Sequence, residues 1–154
     1  MEKKGGNWEY IPVDRMGRVL IPKEIRVGLD EEMLILWKNP VFLEPFPSIC
    51  FCGQSLFREI VSEAEAWKAR DPQVYRALVA SLEELHRRHL DELGRLLLPK
   101  TLLEYARIQR WVKIVGFRVL RIYSQESYEE RQKWIAQLSE KADKEAIALF
   151  FARL

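Results

Sequence analysis

The chain has 154 residues, enough for one compact domain or for two small halves that share a core. Its 48% hydrophobic and 31% charged residues are those of a soluble globular protein, and no apolar run approaches a membrane span. A net charge of +2 does not announce nucleic acid, yet 25 Lys and Arg residues suffice to build a local basic face. The start, Met1-Glu2-Lys3-Lys4-Gly5-Gly6, is polar with no apolar run behind it, so no signal peptide is read. Cys50 and Cys52 stand one residue apart and do not make a secreted disulfide framework. A cytoplasmic protein is the expectation.

Residues 1–6 read as frayed or as an arm. Asn7 to Val13 carries Trp8, Tyr10, Ile11 and Val13 and predicts a short strand, with Pro12 restricting it to an edge or an end. Asp14 to Gly17 is a turn in which Gly17 can take positive φ. Arg18 to Ile21 returns as a strand, Pro22 stops it, and Lys23 to Arg26 makes one helical turn. Met33–Trp37 and Val41–Pro45 then read as a hairpin across Lys38-Asn39-Pro40. Phe46 to Gly53 is expected as a loop rich in Pro and Cys. A helix is predicted from Ser55 through Ala64 to Trp67, with Leu56, Phe57, Ile60 and Val61 on one face. Asp71-Pro72 opens the next helix, an N-cap residue followed by Pro at the first position. Arg87 to Leu90 must turn extended if the second half of the chain copies the first.

The copying is direct. Val13 to Lys23 and Leu90 to Lys100 are eleven-residue stretches identical at six positions: Asp14/Asp91, Gly17/Gly94, Arg18/Arg95, Leu20/Leu97, Pro22/Pro99 and Lys23/Lys100. Four of the other five exchange one apolar residue for another, and only Arg15 against Glu92 changes the chemistry. Such density means one structural unit used twice. The second copy predicts a strand at Arg95–Leu98, a short helix at Pro99–Tyr105, strands at Trp111–Val115 and Phe117–Tyr123 about a turn at Gly116, and a helix capped by Ser124 that carries Tyr128, Trp134 and Leu138. At a constant offset of 77, Leu36-Trp37 falls on Lys113-Ile114. Phe57 aligns best with Tyr128, which implies an insertion of about six residues in the first copy around Ser48–Gly53. Ser139 to Leu154 reads as a further amphipathic helix ending in Leu149-Phe150-Phe151.

Two copies of Asp-x-x-Gly-Arg-x-x-x-Pro, with Asp71-Pro72 opening a helix twenty positions before Asp91, resemble the MraZ family, the tandem-repeat branch of the AbrB/SpoVT-like proteins. The stretch Ile122 to Tyr128 resembles that family's closing strand and capped helix. The resemblance covers roughly residues 7–138. It implies an α+β fold: a pseudo-dimeric swapped-hairpin β-barrel built from two tandem repeats and flanked by helices. The first repeat with its closing helix would span 7–67, a linker helix 68–89, the second repeat 90–138, and a C-terminal helix 139–154. The implied function is transcriptional regulation by ring-shaped homo-oligomers. These would bind double-stranded DNA at short direct repeats in the promoter of the protein's own division and cell-wall gene cluster, giving a nucleoid-associated location. The family often has Lys before the Gly where this chain has Met16 and Leu93, so each turn is less basic than is typical.

Arg18 and Arg95 are the residues on which DNA contact would rest, because a guanidinium can bind a guanine edge bidentately or clamp a phosphate. The alternative is that each pairs with Asp14 or Asp91 and only holds its turn. The aspartates are read as turn support, since a carboxylate repels phosphate but accepts turn N–H groups. Gly17 and Gly94 serve backbone geometry. Arg15 can add a phosphate contact that Glu92 cannot, so the first turn is expected to carry more of the binding. Lys23, Arg26 and Lys100 are flanking phosphate contacts or an ordinary solvated face. Cys50, Cys52, His86 and His89 are zinc-ligand types, but Cys-x-Cys is not the usual spacing and no metal is expected. No phosphate loop, His-Glu-x-x-His or nucleophile elbow is present, so neither an enzyme, a cofactor nor a small-molecule substrate is expected. The rival reading is a protein-interaction module on the same barrel that has lost specific DNA binding. An antitoxin-type regulator, which usually has one hairpin copy and a floppy tail, fits two copies less well.

Overall fold

The computed structural model describes residues 10–29, 33–40 and 44–154. The expected arm at 1–6 lies outside them, as do the first three residues of each of the strands expected at 7–13 and 41–45. In chain order the elements are β1 (Ile11–Pro12), β2 (Arg18–Leu20), α1 (Lys23–Leu29), β3 (Met33–Lys38), β4 (Ile49–Gly53), α2 (Gln54–Glu65), α3 (Trp67–Arg70) and α4 (Pro72–Ser81). The second half continues with β5 (His86–His89), β6 (Arg95–Leu97), α5 (Lys100–Tyr105), β7 (Trp111–Gly116), β8 (Leu120–Ser124), α6 (Gln125–Lys141) and α7 (Lys144–Ala152).

The strands form a six-stranded antiparallel sheet in the order β1-β7-β8-β4-β3-β5 and a two-stranded ribbon β2-β6. Exchanging the two repeats maps this order onto itself. The exchange is physical as well as formal. First-repeat β1 pairs with second-repeat β7, and second-repeat β5 pairs with first-repeat β3. The short β2 and β6 pair only with each other, Val19 opposite Leu96 at the centre. A two- or three-residue strand is not stable by itself, so each arm is held by the other half of the chain. The expected α+β fold of swapped hairpins about a curled sheet is what forms.

The concave face of the sheet closes over Val19, Ile21, Leu34, Leu36, Phe51, Leu96, Val112 and Ile122, all fully buried. In β7 the alternation is regular, with Val112 and Ile114 inward and Lys113 and Val115 less buried. In β3 and β4 both faces are covered. Ile35, Trp37, Cys50 and Cys52 form a second cluster with Phe57 beneath α2. Trp37 and Phe57 meet at 5.3 Å between ring centroids.

That double coverage corrects the sequence reading of the first hairpin. The partner of β3 is Ile49–Gly53, Trp37 lying opposite Cys50; of the strand expected at Val41–Pro45, residues 41–43 lie outside the described residues. A strand buried on both faces shows no polar alternation, and cysteine packs there as a small hydrophobe. The segment expected as a loop is therefore a core strand. The extra residues of the first repeat lie before it. Between β3 and β4, Asn39 N–H donates to Ser48 O (2.9 Å) and Asn39 Nδ2 donates to Ser48 Oγ (2.9 Å), both residues buried. The register also moves. Leu34 faces Gly53 before α2 as Val112 faces Ser124 before α6, so Leu36 corresponds to Ile114, one position on from the constant offset.

Helix boundaries follow the caps. Asp71 Oδ1 accepts the N–H groups of Gln73 and Val74 with Pro72 at the first position of α4, and Ser124 Oγ accepts Ser127 N–H at α6. α1 is longer than the single turn expected. α2 starts at Gln54 and ends at Glu65, before the expected Trp67. β8 starts at Leu120 rather than Phe117. Ser139 to Lys141 belong to α6; the final helix begins only at Lys144, where Asp143 caps it through Ala146 N–H. No helix among the described residues is long and apolar enough to cross a membrane.

Candidate nucleic-acid interface

The two repeated turns have the same internal chemistry. In the first, Asp14 Oδ1 accepts the N–H groups of Met16 and Arg18 (both 2.9 Å), and Asp14 Oδ2 accepts Arg18 Nε at 2.7 Å. In the second, Asp91 Oδ1 accepts Leu93 and Arg95 N–H (3.0 and 2.8 Å) and Oδ2 accepts Arg95 Nε at 2.7 Å. Gly17 and Gly94 close the turns at φ +88° and +85°, the left-handed region that an L side chain resists. Each carboxylate therefore needs an Asp side chain short enough to reach two amides within its own turn. The backbone N–H of Arg18, followed by the Arg18 side-chain hydrogen bond, holds the Asp14 carboxyl below its ordinary 3.8 against the opposing effect of burial. Arg95 does the same for Asp91. Both carboxylates remain ionised at neutral pH.

The arginines do pair with their aspartates, as one of the two sequence readings held, but only through Nε. Among the described residues, no hydrogen bond engages the Nη groups of Arg18 or Arg95, and each side chain is about one third exposed. A guanidinium oriented by a carboxylate at one edge keeps its two-nitrogen fork for a second ligand.

The ribbon β2-β6 decides where these forks stand. Arg18 lies opposite Leu97 and Leu20 opposite Arg95, so the four share the face away from buried Val19 and Leu96. Arg18 and Arg95 are thus diagonal neighbours, roughly 7–8 Å apart along the ribbon. The ribbon is tied at both ends across the repeats: Leu98 N–H donates to Gly17 O (2.9 Å) and Ile21 N–H to Gly94 O (3.0 Å).

The flanking cations are shared between repeats in a way the linear sequence hides. Arg15 and Lys100 line one recess of about 500 Å³ beside the first turn, although Lys100 comes from the second repeat. Arg88, on β5, lines the same recess; its Nη1 donates to Arg87 O (2.9 Å), and its Nε is buried with no partner among the described residues. Arg26, from α1 of the first repeat, serves the second turn: its Nη1 donates to Leu93 O at 3.0 Å. Its guanidinium lies so close over Gly94 that a Cβ there would meet Nη1 at 1.7 Å. At the first turn the corresponding neighbour of Gly17 is Leu103, whose Cδ1 would stand 3.3 Å from such a Cβ. Lys23 is exposed at the start of α1, and Glu92 is exposed in the second turn. Sequence reasoning passed over Arg88, whose only signal was the Arg87-Arg88 pair in an extended stretch, and gave Arg26 no place at a particular turn.

The cysteines that suggested metal types are buried side by side on β4, and burial pushes both thiols up to about 12. His86 and His89 stand on β5, paired with Leu36 and Met33 of β3.

Comparison with known proteins agrees with this architecture. The family model described as "MraZ protein, putative antitoxin-like" matches residues 82–151. A "Transcriptional regulator MraZ" of Phocaeicola vulgatus is 31% identical over 119 residues, covering 73% of this chain and 74% of its own. One from an Anaeromyxobacter species is 25% identical over 146 residues, covering 92% and 94%. One from a Marinomonas species is 27% identical over 136 residues, covering 82% and 85%. By the extent of these matches, the chain belongs to the MraZ family.

Proposed function

We propose that the protein is a sequence-specific DNA-binding transcriptional regulator that reads duplex DNA with Arg18 and Arg95. The observation that carries this reading is the pair of preorganised guanidinium forks on one outward face of the β2-β6 ribbon, each fixed by a carboxylate through Nε alone. Orientation by the aspartate lowers the entropy lost when a fork meets a base edge or phosphate. Arg15, Lys100 and Arg88 at the first turn, and Lys23 and Arg26 from α1, supply sequence-independent attraction to the backbone. The first turn, with Arg15 in place of Glu92, takes the larger share, and Arg26 restores part of the charge at the second. Short direct repeats in the promoter of the protein's own division and cell-wall cluster are the proposed target, a ring-shaped homo-oligomer the proposed binding species, and the nucleoid its location.

The test is binding to duplex from upstream of its own gene, monitored by fluorescence anisotropy across salt. Arg18→Ala and Arg95→Ala should each weaken specific binding by about 1–3 kcal/mol and relax selectivity. Arg15→Ala and Lys100→Ala should weaken all sequences alike and lower the salt slope by about 1. Parent-like binding by both the Arg18 and Arg95 variants would remove the turns from the interface.

A second reading is favoured by Met16 and Leu93, 68% and 64% exposed at the turn tips. Apolar tips suit a protein surface better than phosphate, and they favour an interaction module on the same barrel. A stable protein complex abolished by Met16→Asp, with no selective DNA binding at any salt, would establish that reading instead.

A further inference from the structure

Arg88 stands at an apolar position of the repeat. At the offset of 77 it falls on Ile11. The pairing agrees, since Arg88 faces buried Leu34 of β3 as Ile11 faces buried Val112 of β7. Ile11 belongs to the core, so its second-repeat counterpart brings a cation to a place where the fold asks for a hydrocarbon. Its Nε is buried and has no partner among the described residues, where no carboxylate pairs with it either. Nη1 donates to the O of neighbouring Arg87 (2.9 Å). A guanidinium drawn into the fold without a counter-charge is unfavourable unless an anion meets it. Arg88 lines the recess of about 500 Å³ beside the first turn, with Arg15 of that turn and Lys100 at the start of α5. The carboxylate in the same wall is Asp14, and both its oxygens already accept from Arg18 and turn N–H groups. At the second turn the Arg26 guanidinium occupies the corresponding space over Gly94. Its counterpart at the same offset is Leu103, uncharged and shorter, which leaves the recess over Gly17 open.

We propose that this recess is a seat for one phosphate group, held by Arg88 together with Arg15 and Lys100. Its wall sets three cations against one carboxylate that is spent on its own turn. The cations come from three different elements and from both repeats, which suits an oxyanion presenting oxygens on several sides better than a planar carboxylate. The unpartnered Arg88 Nε supplies a donor that the fold itself leaves unused. With Leu103 at the first turn and Arg26 at the second, the chain has one such seat, not two. The phosphate belongs to the backbone of a duplex or to a free phosphorylated small molecule, and the same three side chains hold it in both cases. The duplex source rests on the proposed function; the seat does not.

The experiment is titration calorimetry of the full chain with pyrophosphate, and with acetate as the control, at constant ionic strength in a phosphate-free buffer. Pyrophosphate should bind once per chain and acetate should not bind. Arg88→Ile restores the residue of the first repeat, so it should fold and melt no lower than the parent; it should weaken pyrophosphate at least about tenfold. Pyrophosphate should raise the melting temperature of the parent and not that of the variant. Arg88→Lys, which keeps the charge without the fork, should bind between the two and serves as the second variant. The duplex arm is fluorescence anisotropy on the same proteins. Loss of duplex affinity by Arg88→Ile, alike on every sequence, assigns the seat to the DNA backbone, whether or not pyrophosphate also binds. Loss of pyrophosphate with parent-like duplex binding assigns it to a free phosphorylated molecule. Parent-like binding of both ligands by Arg88→Ile overturns the seat, as does acetate binding as tightly as pyrophosphate, or a parent that does not bind pyrophosphate while its Arg88→Ile variant keeps full duplex affinity. None of these outcomes touches Arg18 and Arg95, whose own variants decide the DNA reading separately.

Discussion

Asp14 and Asp91 act on their turns through three hydrogen bonds each, and these bonds fix the sign of a pH effect. A carboxyl held below its ordinary 3.8 in the folded state binds fewer protons there than in the unfolded chain. Its stabilisation is fully present above 3.8 and is lost as pH falls through the lowered folded value. Carboxyl ¹³C NMR should therefore show both aspartates titrating below 3.8, and Asp14→Asn with Asp91→Asn should make stability less sensitive to acid than in the parent. Titration at or above 3.8 would contradict the turn geometry. The cysteines give the reverse sign. Thiols pushed up to about 12 stay neutral in the fold while the unfolded chain ionises near 9, so they contribute stability at neutral pH that declines as pH rises past 9. Iodoacetamide at pH 8 should leave Cys50 and Cys52 unmodified in the native protein and label both in denaturant, as read by mass spectrometry.

At the scale of elements, the two turns differ in what buttresses them. Gly17 rests near Leu103 of α5, Gly94 beneath Arg26 of α1. Replacing either glycine with alanine forces an L residue to positive φ, a cost of about 1–2 kcal/mol. Gly94→Ala carries a second cost, because its Cβ takes the space of the Arg26 guanidinium and breaks the bond to Leu93 O. Denaturation should therefore rank Gly94→Ala below Gly17→Ala in stability. In a double-mutant cycle, Arg26→Ala should remove the excess. Equal costs with no coupling would mean that Arg26 does not hold the second turn. Glu44, between β3 and β4, has its own fastening. Its side chain, 9% exposed, accepts Arg131 Nε on both oxygens at 3.0 Å and also accepts Tyr123 O–H, tying Glu44 to β8 and α6. A carboxylate buried this far is compatible with the fold because its lone pairs are met.

For the whole molecule, exchange of arms makes the two repeats interdependent. An isolated first repeat would leave β1 without β7, β2 without β6 and β3 without β5. Half chains comprising residues 1–82 and 83–154 should therefore be unfolded or self-associated when separate. Mixed, they should give one cooperative transition, monitored by circular dichroism and sedimentation. A folded monomer of either half would show that the swap is dispensable. The same interdependence sets the proposed DNA-facing surface, since the β2-β6 ribbon forms only between the two repeats.

The sequence by itself determined the features whose bonds are local. The Asp-x-x-Gly-Arg turns and the Asp71 and Ser124 caps follow from residues a few positions apart; the extended stretch expected at Arg87 to Leu90 from the repeat forms one residue earlier, as His86–His89. Tertiary structure decided what depends on distant partners. β4 has no alternation because α2 covers its outer face, so only the pairing with β3 identifies Ile49–Gly53 as a strand. Which turn each cation flanks was likewise decided by the swap: Arg26 reaches Leu93 across 67 positions, and Lys100 lines a recess beside the first turn together with Arg15. The physical reason is one and the same. A turn closes on its own backbone and is written in its residues, whereas a strand buried on both faces and a cation lent to the other repeat acquire their roles only when the halves interlock.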